Sequence, residues 1–187
     1  MGISYNAPFT LTFTFICLGI RLLGDGFTAN FFTVYPSWDM HHPLDYFRLF
    51  SHVFGHSGSS HLIANISLIL ILGPILEEKY TSAHVALMAF VTALVTGIIN
   101  VNFSANGLLG ASGIVFMMIL LASFGNMKNG KIPLTFLMVL VLYLGQEFFA
   151  LGKNDQVAHF AHIIGGLCGG VFGFIFYRQK GSGSGKN

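Results

Sequence analysis

Residues 109–125 read LGASGIVFMMILLASFG, and this stretch decides the fold class. It contains no charged residue, and in an apolar surrounding its backbone can satisfy its own hydrogen bonds only as a helix. A helix needs about 20 mostly apolar residues to cross a bilayer, a length that this stretch approaches. It therefore predicts a membrane helix that begins close to Ser112.

The whole chain has the composition of a membrane protein. Of its 187 residues, 53% are hydrophobic and 9% are charged, whereas soluble domains carry roughly 25% charged residues. The formal charge of +2 gives no indication of a nucleic-acid partner. We expect an all-α polytopic membrane protein with a single six-helix domain over residues 1–180. The expected helices are 8–23, 61–76, 83–101, 109–125, 132–151 and 157–177.

The remaining segments set the expected topology. An even number of spans places both termini on one side, and most Lys and Arg residues fall on that side, which predicts cytoplasmic termini. The long loop 24–60 then faces outward, and its many aromatic residues favour a position partly in the membrane interface. The tail 181–187, GSGSGKN, has the composition of a flexible linker.

Polar residues of the predicted spans gather at one depth. His61 and Asn65 open the second segment, Ser112 opens the fourth, and His162 lies five residues into the sixth. All three segments run inward from the outer side, so at 1.5 Å per residue the four groups lie within about two turns of the outer surface. Polar residues are costly in a membrane span and tend to be functional.

Ser112 and His162 are a candidate nucleophile and general base. A serine hydroxyl becomes nucleophilic when a base removes its proton, and a neutral imidazole suits that role. Asp155 precedes the sixth segment and Glu147 lies on the fifth, so the sequence places no carboxylate to orient His162. It predicts a Ser-His dyad, not a triad.

The same cluster supplies candidate oxyanion donors. His61 and Asn65 are four residues apart and project from one helix face. With the backbone N–H of Ser112 they could stabilise a tetrahedral intermediate. Glycines at 110 and 113 leave room beside the serine for a substrate backbone. Glycines at 165 and 169 form a GxxxG pattern that permits close helix packing beside His162.

These motifs, in this order, resemble the rhomboid family of intramembrane proteases. The resemblance covers about residues 46–177 and rests on FRLFSHVFGHSGSSHLIAN at 47–65, GPILEEKY at 73–80, GASG at 110–113 and AHIIGGLCGG at 161–170. It implies cleavage of a peptide bond within or next to the membrane in a single-pass transmembrane substrate. It also implies no metal and no cofactor, and the six-helix form favours a bacterial plasma membrane.

The resemblance assigns roles to individual positions. Ser112 becomes the nucleophile, His162 the base, and Asn65 with His61 the oxyanion donors. The helix that carries Phe148 and Phe149 resembles a lateral gate for the substrate. The supporting structural positions are Gly110, Gly113, Gly165, Gly169, Arg48, His56 and Glu77, the last in a turn after the second helix.

Several alternatives compete with this interpretation. His159 lies one turn before His162 and could be the base, although the register of the following glycines favours His162. The chain could be a non-catalytic rhomboid-like protein that binds membrane helices. It could carry haem between His162 and His61, or line a proton or ammonium pathway. His52 is expected to be a loop or interfacial residue.

Overall fold

The computed structural model describes residues 2–36, 38–39, 41–124, 131–150 and 158–183, and the described part of the chain is predominantly helical. An isolated antiparallel bridge joins Val34 to Leu108. The helices are α1 Pro8–Leu22, α2 Asp25–Phe32, α3 Pro43–Ser51, a 3₁₀ turn His52–Phe54, α4 Ser59–Tyr80, α5 Ser82–Phe103, α6 Ser112–Ser123, α7 Leu134–Val139, a π-helical turn Leu140–Leu144, α8 Gly145–Ala150 and α9 His159–Gly183.

Within the described residues, three helices are long and apolar enough to cross a membrane: Ser59–Tyr80, Ser82–Phe103 and His159–Tyr177. Three shorter apolar helices accompany them: Pro8–Leu22, Ser112–Ser123 and Leu134–Phe149. Each of the six segments predicted to span therefore contains a helix. Large apolar side chains such as Ile71 and Ile75 of α4 are exposed, as expected for a surface that faces lipid.

Helix α6 forms the centre of the bundle. Most of its side chains are buried, and Met117, Met118, Leu120 and Leu121 are fully enclosed. A helix that is apolar on all sides is stable where other helices surround it. The first turn of this helix, which carries Ser112, is thereby held in a fixed place among its neighbours.

Helix α4 is longer than its apolar stretch 61–76 indicated. It continues through Pro74 to Tyr80, so Glu77 lies in the helix and not in a turn. Both oxygens of the buried Glu77 carboxylate face the start of α1, where they accept hydrogen bonds from Phe9 N, Thr10 N and Thr10 Oγ1 at 3.1, 2.8 and 2.6 Å. A carboxylate at a helix N-terminus satisfies otherwise unpaired N–H groups and the helix dipole, which explains how the polar end stays helical.

The described residues between α1 and α4 form two helices and a 3₁₀ turn, and α4 begins at Ser59, two residues before the expected helix. Arg48 of α3 lies 2.6 Å from Asp45, donates from Nε to Asn30 O at 3.2 Å and covers the ring of Tyr35. These contacts give Arg48 a structural role. They tie α3 to α2 and to the loop that follows α2.

His52 lies on the 3₁₀ turn within the predicted loop 24–60, and its side chain is buried there, 2% exposed. Its Nε2 lies 3.1 Å from Ala93 O of α5. Burial lowers the pKa of His52 to about 4, so the ring is neutral and can donate this hydrogen bond. The 3₁₀ turn tucks the ring against α5, a placement that composition alone did not indicate.

Two further elements differ from the expected helices. The segment 132–151 is interrupted by the π-helical turn Leu140–Leu144 between α7 and α8. Helix α9 continues to Gly183, three residues into the stretch expected to be a tail. Because a helix closes its last bonds to carbonyls four residues back, it extends past the apolar stretch at small cost. Residues 184–187 lie outside the described part.

Candidate active site

The backbone that leads into α6 is fixed from two sides. Val34 and Leu108 exchange N–H···O bonds of 3.0 and 2.9 Å, and Gly110 N donates to His52 O at 3.0 Å. Gly110 has a φ of +121°, a conformation that favours glycine. His61 occupies the space where a side chain at Gly110 would lie, since a Cβ built on Gly110 would be 2.7 Å from His61 Cε1. This turn delivers Ser112 as the first residue of α6.

His56 holds the same turn from a third direction. Its Nδ1 lies 3.3 Å from Phe54 O, and its Nε2 accepts a hydrogen bond from Ala111 N at 3.5 Å. Burial, reinforced by the nearby His61, lowers the pKa of His56 to about 4. A neutral ring with its proton on Nδ1 satisfies both contacts. His56 therefore supports the loop beside Ser112.

Helices α6 and α9 pack with their backbones in contact. A Cβ at Gly165 would lie 2.0 Å from Gly113 O, and a Cβ at Gly169 would lie 2.2 Å from Met117 O. The GxxxG spacing on α9 thus serves close packing, as it does in membrane helix pairs generally. The contact at Gly113 is one residue from Ser112.

The imidazole of His162 lies on the Ser112 face of α6. It stacks on Phe116 with ring centroids 4.4 Å apart and an interplanar angle of 7°. Phe116 is four residues after Ser112 and so shares its helix face. Ser112 Oγ makes no hydrogen bond within the described part of the chain, including to His162. Ser112 and the ring of His162 therefore lie at the same face of α6 but are not hydrogen-bonded to each other. Catalytic hydrogen bonds are often unformed in enzymes without substrate.

The prediction that no carboxylate lies beside His162 is wrong. Glu147 of α8 is 8% exposed, its Oε2 lies 3.0 Å from His162 Nδ1, and it is 2.6 Å from His159 Nδ1. The His162 ring is turned so that Nδ1–H does not point straight at the oxygen, and among the described residues Nδ1 has no other partner. The π-helical turn changes the helical phase before α8, so spacing did not reveal which way Glu147 faces.

The predicted oxyanion donors lie on one face of α4. Asn65 is 5% exposed, and its Nδ2 is buried with no partner among the described residues. His61 Nδ1 lies 3.2 Å from Ser57 Oγ. If that hydroxyl donates to Nδ1, the proton of His61 is on Nε2. The ring edge formed by Cε1 and Nε2 faces Gly110, at 2.7 and 3.0 Å from a Cβ built there. His61 thus lies beside the turn that leads into α6, and Asn65 follows one helical turn later on α4 with no partner for its Nδ2 among the described residues.

One group of side chains has the composition of a metal-ligand set. Donor atoms of Glu147, His159 and His162 all lie within 4.8 Å of one another. The carboxylate is 2.6 and 3.0 Å from the two nitrogens, whereas ligands of a tetrahedral Zn²⁺ at 2.0–2.1 Å stand about 3.3 Å apart. These separations fit direct hydrogen bonding better than a shared ion.

Sequence reasoning missed three contributors to this site. His52 supplies the carbonyl that holds Gly110, Phe116 supports the His162 ring, and Glu147 contacts its Nδ1. Phe116 could have been found from its spacing, because it lies one turn after Ser112 on a predicted helix. The other two depend on a 3₁₀ turn and on a π-helical turn that periodicity does not show.

This fold and site define a class of protein: a helical membrane protein with a serine and a histidine on facing, closely packed helices. A sequence model of the Rhomboid domain matches residues 43–179, and the chain belongs to the rhomboid family. Members of this family are generally intramembrane serine proteases. The family membership predicted from the ordered motifs is confirmed.

Similar proteins carry rhomboid names. The chain is 24% identical over 179 residues to the rhomboid protease GlpG of Haemophilus influenzae, an alignment that covers 92% of this chain and 93% of that protein. It is 27% identical over 115 residues to rhomboid protease GlpG of Klebsiella pneumoniae, covering 60% of this chain and 42% of the other. RHOMBOID-like protein 2 of Arabidopsis thaliana is 30% identical over 131 residues, covering 68% and 41%.

Proposed function

We propose that the protein is an intramembrane serine endopeptidase that cleaves single-pass transmembrane proteins within or next to the membrane. The observation that carries this proposal is the stack of His162 on Phe116, one turn from Ser112 on α6. It supports a serine and an imidazole that face each other across two packed helices. The names of the similar proteins agree with this activity.

The proposed reaction passes through an acyl-enzyme. Ser112 Oγ attacks the scissile carbonyl carbon while its proton moves to His162 Nε2. The C–N bond then breaks, and His162 returns the proton to the leaving amine. A water molecule attacks the ester, again with His162 as base, and the carboxyl product leaves with Ser112 restored.

The oxyanion of each tetrahedral intermediate is bound by hydrogen-bond donors. We assign this role to Asn65 Nδ2, to His61 Nε2 and to the backbone N–H of Ser112. Asn65 Nδ2 suits it because this buried donor has no protein partner among the described residues, and an oxyanion would supply one. Hydrogen-bond donors that are already in position stabilise the negative charge of the transition state without having to reorganise as that charge develops.

The proposed topology has six spans, with both termini in the cytoplasm and the active site open to the outer side. It is supported by a helix in each of the six apolar segments and by the excess of Lys and Arg on the side of the termini. We place the protein in a bacterial plasma membrane. Helix α8, with the exposed Phe148 and Phe149, is the proposed entry for the substrate helix.

Cleavage in a membrane tests the proposal. The protein is reconstituted into liposomes with a tagged single-pass protein whose transmembrane helix contains small residues, and the fragments are sized on a gel. We expect cleavage by the wild type and by Ser123→Ala, because Ser123 donates its hydroxyl to Ile119 O within α6. Ser112→Ala should be inactive. Undiminished cleavage by Ser112→Ala would overturn the assignment.

A further inference from the structure

Glu147 is a buried carboxylate that the dyad mechanism leaves without a role. It is 8% exposed, and it and Phe136 are the buried side chains among residues 131–149. Burying a carboxylate is costly unless it is paired. Its partners here are His159 and His162, both on α9.

The two histidine contacts are not equivalent. His159 Nδ1 hydrogen-bonds to Glu147 Oε2 at 2.6 Å, a short, well-aligned contact. His162 Nδ1 lies 3.0 Å from the same oxygen, less well aligned and with no competing partner in the described structure. His159 thus fixes the carboxylate, and a small rotation of the His162 ring completes the second bond.

A neutral imidazole carries its proton on one nitrogen, and the partner of one nitrogen decides which. A carboxylate accepts hydrogen bonds, so the nitrogen facing it keeps the proton and the other nitrogen has a free lone pair. In serine hydrolases a carboxylate in this position holds the base in the tautomer that can receive the serine proton. Glu147 faces Nδ1, which leaves Nε2 as the basic atom of His162.

We propose that Glu147 is a positioning residue that holds His162 in the tautomer with its proton on Nδ1, and that His159 clamps Glu147 in place. The inference deepens the proposed protease function and rests on it for its catalytic consequence. The tautomer itself does not depend on turnover. The site then works as a chain of four groups: His159, Glu147, His162 and Ser112.

A purely structural role is the main rival. Glu147 could serve only to tether α8 to α9, in which case the bond to His159 would carry most of the effect. His159→Leu removes that bond but leaves a carboxylate beside His162, whereas Glu147→Leu removes both contacts. Gln146→Leu is the matched control, since Gln146 is the neighbouring, exposed residue of α8.

The first test measures the tautomer directly. Protein with ¹⁵N-labelled histidine is prepared on a Ser112→Ala background, and the His162 signals are assigned by substitution of His162. We expect His162 to carry its proton on Nδ1 in the Ser112→Ala protein and in its Gln146→Leu variant. In the Glu147→Leu variant the proton should shift towards Nε2. If His162 keeps the same tautomer without Glu147, the inference is overturned. Glu147→Asp, which withdraws the carboxylate by one methylene, replaces the leucine variant if the latter does not fold.

The second test measures the consequence for Ser112. The rate of fluorophosphonate labelling should fall at least about 10-fold in Glu147→Leu, because loss of the carboxylate that orients the base of a serine hydrolase costs up to about 10⁴-fold in kcat, and it should fall less in His159→Leu. With the tagged substrate, Glu147→Leu should have a lower kcat and an unchanged KM. Equal losses in both variants, matched by equal losses of stability, would support the tether instead. A wild type that does not label would refute the protease function and leave the tautomer result standing.

Discussion

Gly165 of α9 lies against the backbone of Gly113 of α6, with space for no more than a hydrogen atom between them. A methyl group at Gly165 would lie 2.0 Å from Gly113 O, whereas one at Gly170 on the same helix would meet Phe136 Cζ at 3.9 Å. This contact fixes the separation of the two helices, and it lies one residue from Ser112. Their spacing also sets the distance from Ser112 to His162.

Gly165→Ala should destabilise the protein and reduce its activity. Forcing a methyl group into a packed contact costs about 1–3 kcal/mol, and moving α9 outward separates the base from the serine. Gly170→Ala is the control and should change little. Thermal unfolding in detergent and labelling of Ser112 measure the two effects. Equal behaviour of the two variants would contradict the packing account.

Asn65→Ala should lower kcat by about 10²-fold or more and leave KM nearly unchanged, because an oxyanion donor acts mainly in the transition state. The substitution also removes a buried donor that has no protein partner among the described residues, so stability should not fall. Asn102→Ala, at an exposed residue of α5, is the control. Cleavage kinetics in liposomes measure both variants, and an unchanged kcat would remove Asn65 from the oxyanion site.

Stability should decrease as the pH falls from about 6.5 to about 4. Burial lowers the pKa of His56 from 6.5 to about 4, so within this window the unfolded chain binds a proton that the folded protein does not. By linkage, the contribution of His56 to stability rises with pH across the window and is fully present above it. The buried His52, whose pKa is also lowered to about 4, adds a contribution of the same sign. His56→Gln, whose amide can still accept from Ala111 N, should weaken this dependence. Unfolding temperatures at pH 5 and pH 7 give the comparison, and identical slopes would contradict it.

Glu77→Ala should destabilise the protein by about 1–3 kcal/mol, the cost of leaving buried donors unpaired. The three bonds from Phe9 and Thr10 to Glu77 tie α1 to α4. Glu78→Ala is a matched control at the next, exposed position. Unfolding temperatures in detergent compare them. Equal unfolding temperatures for the two variants would show that the tie contributes nothing.

Much of the helical framework could be predicted because it follows from apolar length. Helix α6 lies within the predicted stretch 109–125, and the GxxxG pattern on α9 makes the expected close contact. Helix ends were less predictable. The polar residues at the end of α4 remain helical because Glu77 bonds to α1, a long-range contact that no local pattern contains.

The candidate site was predicted less completely than the fold. Residues that enter it from helix starts could be located from depth and spacing, as Ser112 and His162 were. Glu147 could not, because the π-helical turn Leu140–Leu144 adds a residue to one turn and rotates all that follow. A residue expected to lie apart from His162 instead lies 3.0 Å from its Nδ1.

Labelling with a fluorophosphonate is the most direct test of the central claim that His162 activates Ser112. The purified protein in detergent is treated with the probe and compared with Ser112→Ala, His162→Ala and the control Ser123→Ala. We expect covalent labelling of the wild type and of Ser123→Ala, and loss of labelling in Ser112→Ala and His162→Ala. A folded wild type that stays unlabelled, or a His162→Ala variant that labels at the wild-type rate, would contradict it.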